Sequence, residues 1–318
     1  MEKTNKYIID ILVSIVDNYG DMGFACEYIK KMQLAYPTEF QYVVWVDKID
    51  IFECFVQQSG IDNITVTDTR DFGKLRKSAI CVSMLHSPLP DLKFFLEKAL
   101  ILRIDYISLD EIWLQKNEQE HILSTQNRQI VELIPSPIQS GAGLIPIFSS
   151  QTNTGIYNSP HITIFLYEDT TQNIDFDSFP EDITVYIFTN QVFTQKNIMT
   201  LDFLSLDEFY NLIDTSEFVI IRGEVSFGHV VQSSVPFFWD MYKGIGGFPE
   251  EQSIQFLDLI GANDGYRELH NILNSQKIGK LTYQNMKEVL SDTGFGIFQI
   301  KSLIHTVKKY IDRFNNSI

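Results

Sequence analysis

Two short stretches carry the residue types that chemistry at the edge of a sheet requires. The first is Asp17-Asn18-Tyr19-Gly20-Asp21-Met22-Gly23. It follows Ile8 to Val16, an almost continuously apolar run rich in Ile and Val, as in a central parallel strand covered on both faces. Two carboxylates therefore fall where a buried strand ends and a helix begins, which is where open α/β sheets bind their ligands. The same residues also read as a plain strand-to-helix turn, with Gly20 easing the bend and Asp21 as N-cap. The second stretch is Val219-Ile220-Ile221-Arg222-Gly223-Glu224-Val225-Ser226-Phe227: a buried strand, a glycine, then polar residues opening a helix. Unpaired N–H groups at a helix start suit a diphosphate without any basic patch, while Ser226 as an ordinary N-cap is the alternative.

Aromatic residues form a third set. Phe165 and Tyr167 end a strand, and Phe203 and Phe209 precede the second stretch. Such rings sandwich a nucleobase in some sites and fill cores in more. Asp175-Phe176-Asp177 has the Asp-x-Asp spacing of metal-dependent sugar transferases, but it lies in a polar run before Pro180 and reads as a solvated loop. Lys243-Gly244-Ile245-Gly246-Gly247 lacks the Lys-Ser/Thr ending of a phosphate loop.

Composition narrows the function classes. The 318 residues are 44% hydrophobic, enough for a sizeable core. The 25 Lys and Arg against 41 Asp and Glu leave a formal charge of −16, which argues against a nucleic-acid partner. Six histidines show no zinc-protease spacing, so no metal site is expected. Cys26, Cys54 and Cys81 each lie in an apolar stretch and read as core thiols. The longest apolar runs are too short and too interrupted for a membrane helix, and no secretory signal is visible, so a cytoplasmic protein is expected.

The elements that must position these residues alternate as strand and helix, the pattern of parallel sheets with helices on their faces. After the run to Val16, a helix with Met22, Ala25, Ile29 and Met32 on one face is expected, then strands at Tyr42–Val46, Ile80–Leu85 and Ile101–Ile107. The polar segment Ser149–Pro160 predicts a boundary between residues 1–150 and 151–318. A second series follows: strands at Ile162–Tyr167, Ile183–Thr189, Phe218–Arg222 and Pro236–Trp239, with a helix at Leu206–Ile213. Ile297, Ile300, Ile304, Val307, Ile311 and Phe314 keep a helical period, and this last helix is a candidate to pack back on the first domain.

Val16–Gly23 and Ile221–Phe227, with Pro236-Phe237-Phe238-Trp239, resemble the protein-arginine rhamnosyltransferase family EarP. Trp45-Val46-Asp47, Pro135-Ser136-Pro137 and Phe165-Leu166-Tyr167 add to the resemblance in the same order. It implies a GT-B fold, two Rossmann-like domains facing across a cleft, the first for the acceptor and the second for a nucleotide sugar. It further implies inverting, metal-independent transfer of L-rhamnose from dTDP-β-L-rhamnose to an arginine of elongation factor P. Asp17, Asn18, Tyr19 and Asp21 would then hold the acceptor, with Asp21 the better general base. Phe203 and Phe209 would lie around the thymine, Tyr167 and Phe165 near the sugar diphosphate, and Glu224 and Ser226 at the diphosphate, with Glu224 also in a catalytic role. The chain departs from the family's Arg-Gly-Glu-Asp-Ser at Val225, has His229 where arginine is common, and has Asp240 where a histidine is usual.

Overall fold

The computed structural model describes residues 7–15, 20–71, 78–85, 100–123, 128–146, 157, 160–202, 204–233, 235–241, 243, 249–293, 295 and 301–316. The side chains of residues 58, 121–123, 128, 168 and 224 fall outside that set. The chain forms two compact units, one of Met1–Pro146 with Ile300–Ile318, the other of Ile147–Gln299.

In the first unit, β1 (Tyr7–Val13), β2 (Phe40–Val46), β3 (Ile64–Asp68), β4 (Ile80–Met84), β5 (Leu100–Ile104), β6 (Glu120–Leu123) and β7 (Arg128–Leu133) form one sheet. Its order is β3-β2-β1-β4-β5-β7-β6, parallel throughout except for β6 at the edge. β1 is flanked by β2 and β4, with Ile11 level with Val44 and Val82, and all three are wholly buried. Covering on both faces explains why these strands read as unbroken apolar runs. The chain leaves β1 towards β2 and β3 and later returns to β4 on the other side, which makes β1/β4 the switch point of the sheet.

The helices of this unit are α1 (Gly20–Ala35), α2 (Ile49–Ser59), the single turn α3 (Glu111–Leu114) and, from the far end of the sequence, a closing helix at Leu303–Asn315. Met22, Ala25, Ile29 and Met32 are all fully buried, as the spacing predicts. Phe24, Cys26 and Tyr28 are buried as well, because α1 packs on β1, on α2 and on the closing helix. Burial pushes the Cys26 thiol up to about 12. Cys54 departs from the core reading: it is exposed, on the outward side of amphipathic α2, where Phe52, Phe55 and Val56 carry the packing. The closing helix also starts later than its period suggests. Ser302 caps it by accepting from His305 N–H, while Ile297 and Ile300 lie outside the described residues. The segment before it pairs with the first domain, Leu144 N–H donating to the Lys301 carbonyl and Leu303 N–H to the Leu144 carbonyl. Gly143 takes φ +93° there, and a Cβ at that position would sit 2.0 Å from the Lys301 oxygen, so only glycine fits.

The second unit has five parallel strands: β8 (His161–Ile164), β9 (Thr184–Phe188), β10 (Ile198–Leu201), β11 (Val219–Arg222) and β12 (Phe237–Asp240), in the order β10-β9-β8-β11-β12. Its helices are α4 (Leu206–Asp214), α5 (Gly223–Val230), α6 (Glu250–Leu259), α7 (Asp264–Leu273) and α8 (Tyr283–Asp292), which makes the closing helix α9. α4 begins with a reciprocal capping box between Ser205 and Glu208. The core is aromatic: Phe227 stacks on Trp239 at 4.0 Å and Phe238 on Tyr266 at 4.7 Å. Phe237, Phe238 and Trp239 are thus core residues. β8 stops at Ile164, three residues earlier than expected, and Phe165–Tyr167 leaves the ladder after one last bond from Phe165 N–H to the Ile220 carbonyl.

Candidate active site

The carboxyl ends of β8, β9, β11 and β12 bring several predicted donor-site residues together. Phe165, Phe188 and Phe209 form a triangle of half-buried rings with centroids 5.4 to 5.5 Å apart, every pair edge to face. The Arg222 guanidinium lies 4.3 Å from the Phe165 ring centroid and 5.0 Å from that of Tyr167. Phe188 was absent from the sequence reading, although it ends its strand just as Phe165 follows its own. Phe203 lies outside the described residues.

The turn from β11 into α5 brings a glycine and the open start of a helix together. Gly223 takes φ +69°, and the Tyr167 hydroxyl approaches it, 3.8 Å from where a Cβ would stand. α5 has no side-chain cap at Arg222, so no side chain occupies the amides of its first turn in the role that a Ser or Asp cap would play. Ser226 is buried in that first turn, as the fourth residue of α5, and is therefore not the N-cap. Glu224 belongs to the same turn by its backbone, with its side chain outside the described set. His229 lies one turn further on. Its ring stacks on Tyr210 at 4.0 Å and its Nε2 is 2.8 Å from Asp214 Oδ1, so it joins α5 to α4 and is a packing residue.

Asp240 ends β12 fully buried. Its Oδ2 accepts from Tyr167 N–H at 2.8 Å and from the Thr170 hydroxyl at 2.6 Å, while Oδ1 has no partner among the described residues. Burial pushes its carboxyl up to about 6. Past the ends of β8 and β9 a cavity of about 400 Å³ opens, lined in part by Asp169, Gln172, Phe176, Gln191 and Phe193. Asp177 of the Asp-x-Asp stretch is exposed and accepts from Gln195, as a solvated turn would.

The matching edge of the first unit is acidic. Asp21 is buried in the first turn of α1, and because the helix already begins at Gly20 it is not the N-cap. Asp47 follows β2 and accepts from Ile15 N–H and the Ser14 hydroxyl, both at 3.0 Å. Asp105 follows β5, is buried, and accepts from the Trp113 indole at 3.1 Å. Leu85, following β4, takes φ +51°, a costly conformation for leucine, at the β1/β4 switch point. Asp17, Asn18 and Tyr19 lie outside the described residues. Among the described residues no group of three or more His, Cys, Asp or Glu is placed to hold a metal ion, and no helix is long and apolar enough to cross a membrane.

Two units, each a parallel sheet with the order 3-2-1-4-5 at its centre, define the GT-B architecture, and the chain adopts the GT-B fold. Solved structures match it end to end. The EarP structure described as the basis for "EarP-mediated arginine glycosylation of translation elongation factor EF-P" aligns at 15% identity and a TM-score of 0.53, over 98% of this chain and 100% of that one. A putative UDP-N-acetylglucosamine 2-epimerase from Listeria monocytogenes aligns at 11% identity and 0.53, over 98% of both chains. The spinosyn forosaminyltransferase SpnP aligns at 10% identity and 0.52, over 97% and 99%. No protein-family model and no curated protein matches the chain. At these identities the likeness carries the fold, and the chemistry must be argued from the two sheet edges.

Proposed function

We propose that this protein is a glycosyltransferase that moves L-rhamnose from dTDP-β-L-rhamnose to an arginine of elongation factor P, with inversion and without a metal ion, in the cytoplasm. The observation that carries the reading is the division of chemistry between two sheets of one topology: carboxylates at one edge, rings and helix amides at the other. A guanidinium is charged at neutral pH and attacks only once a carboxylate orients it and takes its proton. Asp21, buried in the first turn of α1, is the base in this reading, with Asp17, Asn18 and Tyr19 as its neighbours at the acceptor. The Phe165, Phe188 and Phe209 rings suit a nucleobase, with Phe203 as a further donor-site residue. The first turn of α5, with Glu224, Ser226 and the nearby Tyr167 hydroxyl, suits a diphosphate whose charge grows as the sugar departs.

Intact mass spectrometry of elongation factor P from the same organism, incubated with this protein and dTDP-β-L-rhamnose without added metal, tests the whole reading. Gain of one deoxyhexose on an arginine is the expected result. An unmodified factor at full enzyme loading overturns the donor and acceptor assignment. A second reading keeps the fold and changes the nucleotide sugar or the acceptor, or leaves a silent homologue that only binds its partner. Val225, half-buried in the first turn of α5, favours it, because no carboxylate stands there. A screen of nucleotide sugars separates these two outcomes.

A further inference from the structure

One peptide unit at the candidate donor site is held from both sides by opposite charges. The carbonyl of Leu166 accepts from Arg222 Nη1 at 2.8 Å. The N–H of the next residue, Tyr167, donates to Asp240 Oδ2 at 2.8 Å. These are the two polar groups of the same peptide bond, and they point in opposite directions in a trans amide. Arg222 and Asp240 are register partners, the last residues of adjacent strands β11 and β12. The gripped segment is the one that has just left the sheet, so two side chains carry the hydrogen bonding where the backbone ladder stops. Asp240 adds the Thr170 hydroxyl at 2.6 Å, itself fully buried, and so fixes the segment three residues further on. Phe165 and Tyr167, the two residues whose rings carry the Arg222 guanidinium, flank this peptide.

We propose that Asp240 is a positioning residue of the donor site: with Arg222 it clamps the 166–167 peptide, and through it sets the rings of Phe165 and Tyr167 for a nucleoside diphosphate. This rests on the reading of the second unit as the donor site. Asp240 is placed to act through the turn, since both of its recorded bonds go to that turn. The charged groups around it are Lys243 and Asp169, which pair at 3.2 Å, and Arg222, its register partner on β11. None of these replaces the two bonds that Asp240 makes.

The test is calorimetric titration of dTDP, with UDP as a second probe, into the full-length protein and its variants, alongside thermal unfolding. Asp240→Ala should weaken dTDP binding about 10-fold or more, since both bonds to the turn are lost. Asp240→Asn should restore affinity to within about 3-fold, because its amide oxygen can accept both. Thr170→Val, which removes one hydroxyl and keeps the shape, should weaken binding about 3-fold in the parent and add nothing in the Asp240→Ala background. It also serves if Asp240→Ala does not fold. Affinity unchanged in Asp240→Ala and Thr170→Val, with the parent binding dTDP, overturns the clamp and leaves the donor site standing. Loss in Asp240→Asn equal to that in Asp240→Ala, in step with lost Tm, reduces Asp240 to a structural role and also overturns the proposal. A parent that binds neither nucleotide overturns the donor-site reading and the clamp with it.

Discussion

The two units share a strand order and differ in what their sheet edges present. In the first, aspartates occupy the ends of the strands: Asp68 ends β3, Asp47 follows β2, Asp105 follows β5, and Asp21 opens the helix after β1. In the second, the counterparts of β1, β2 and β4 present Phe165 after β8, Phe188 at the end of β9 and Arg222 at the end of β11, while β12, the counterpart of β5, keeps a carboxylate, Asp240, bonded to the turn after β8. Topology fixes where a ligand binds, and the residues at the strand ends fix what kind. An edge of carboxylates favours a cation, and an edge of rings beside uncapped helix amides favours a base joined to phosphate.

Variants that touch one edge alone should separate the two roles. The largest effect is expected from Asp21→Asn, which should lower transfer about 10²- to 10⁴-fold while dTDP affinity stays within about 2-fold, read by product mass and calorimetry. Equal loss of nucleotide binding would break the division between the edges. Phe165→Ala or Phe209→Ala should do the reverse, weakening dTDP about 10-fold with the binding of elongation factor P unaltered. The next concerns Asp240 and stability. Its carboxyl is raised to about 6 in the folded protein, so the fold binds the extra proton between the ordinary carboxylate range and that value. Stability is therefore greatest below about pH 4 for this group and is lost as pH rises through about 6, by about 3 kcal/mol. The difference in unfolding free energy between the parent and Asp240→Asn should change by that amount over this window, and a flat difference would place the group in a more solvated setting. The smallest effect on the site should come from His229→Gln, which should cost about 1 to 3 kcal/mol in denaturant unfolding by disturbing the contacts with Tyr210 and Asp214, with dTDP affinity unchanged.

Much of this edge chemistry was legible because parallel strands buried on both faces announce themselves as apolar runs, and the residue after each run is then a site candidate by position alone. That argument singled out Asp21, Phe165, Tyr167 and the β11–α5 turn as candidates. It passed over Phe188, the same kind of residue at the end of its own strand, because the expected strand Ile183–Thr189 placed it inside the element. It read Asp240 as a departure from a pattern, since its role depends on the register of β11 against β12 and on a turn that leaves the sheet, neither of which spacing encodes. His229 was noted only as standing where arginine is common, and its packing role on α4 shows only once α5 is set against Tyr210 and Asp214. Ser302 caps α9, a start that the apolar period alone does not mark, while Ile297 and Ile300 lie outside the described residues.

The return of α9 to the first unit has a consequence for biosynthesis. Ile147–Gln299 is one continuous stretch and has all its strands and helices once it has left the ribosome. The first unit, whose sheet is translated by Leu133, still lacks the helix that covers α1 and must wait for Leu303–Asn315. The later-made unit is therefore the earlier one to have all its described elements, and during that interval the face of α1 that α9 covers in the finished fold lacks its partner.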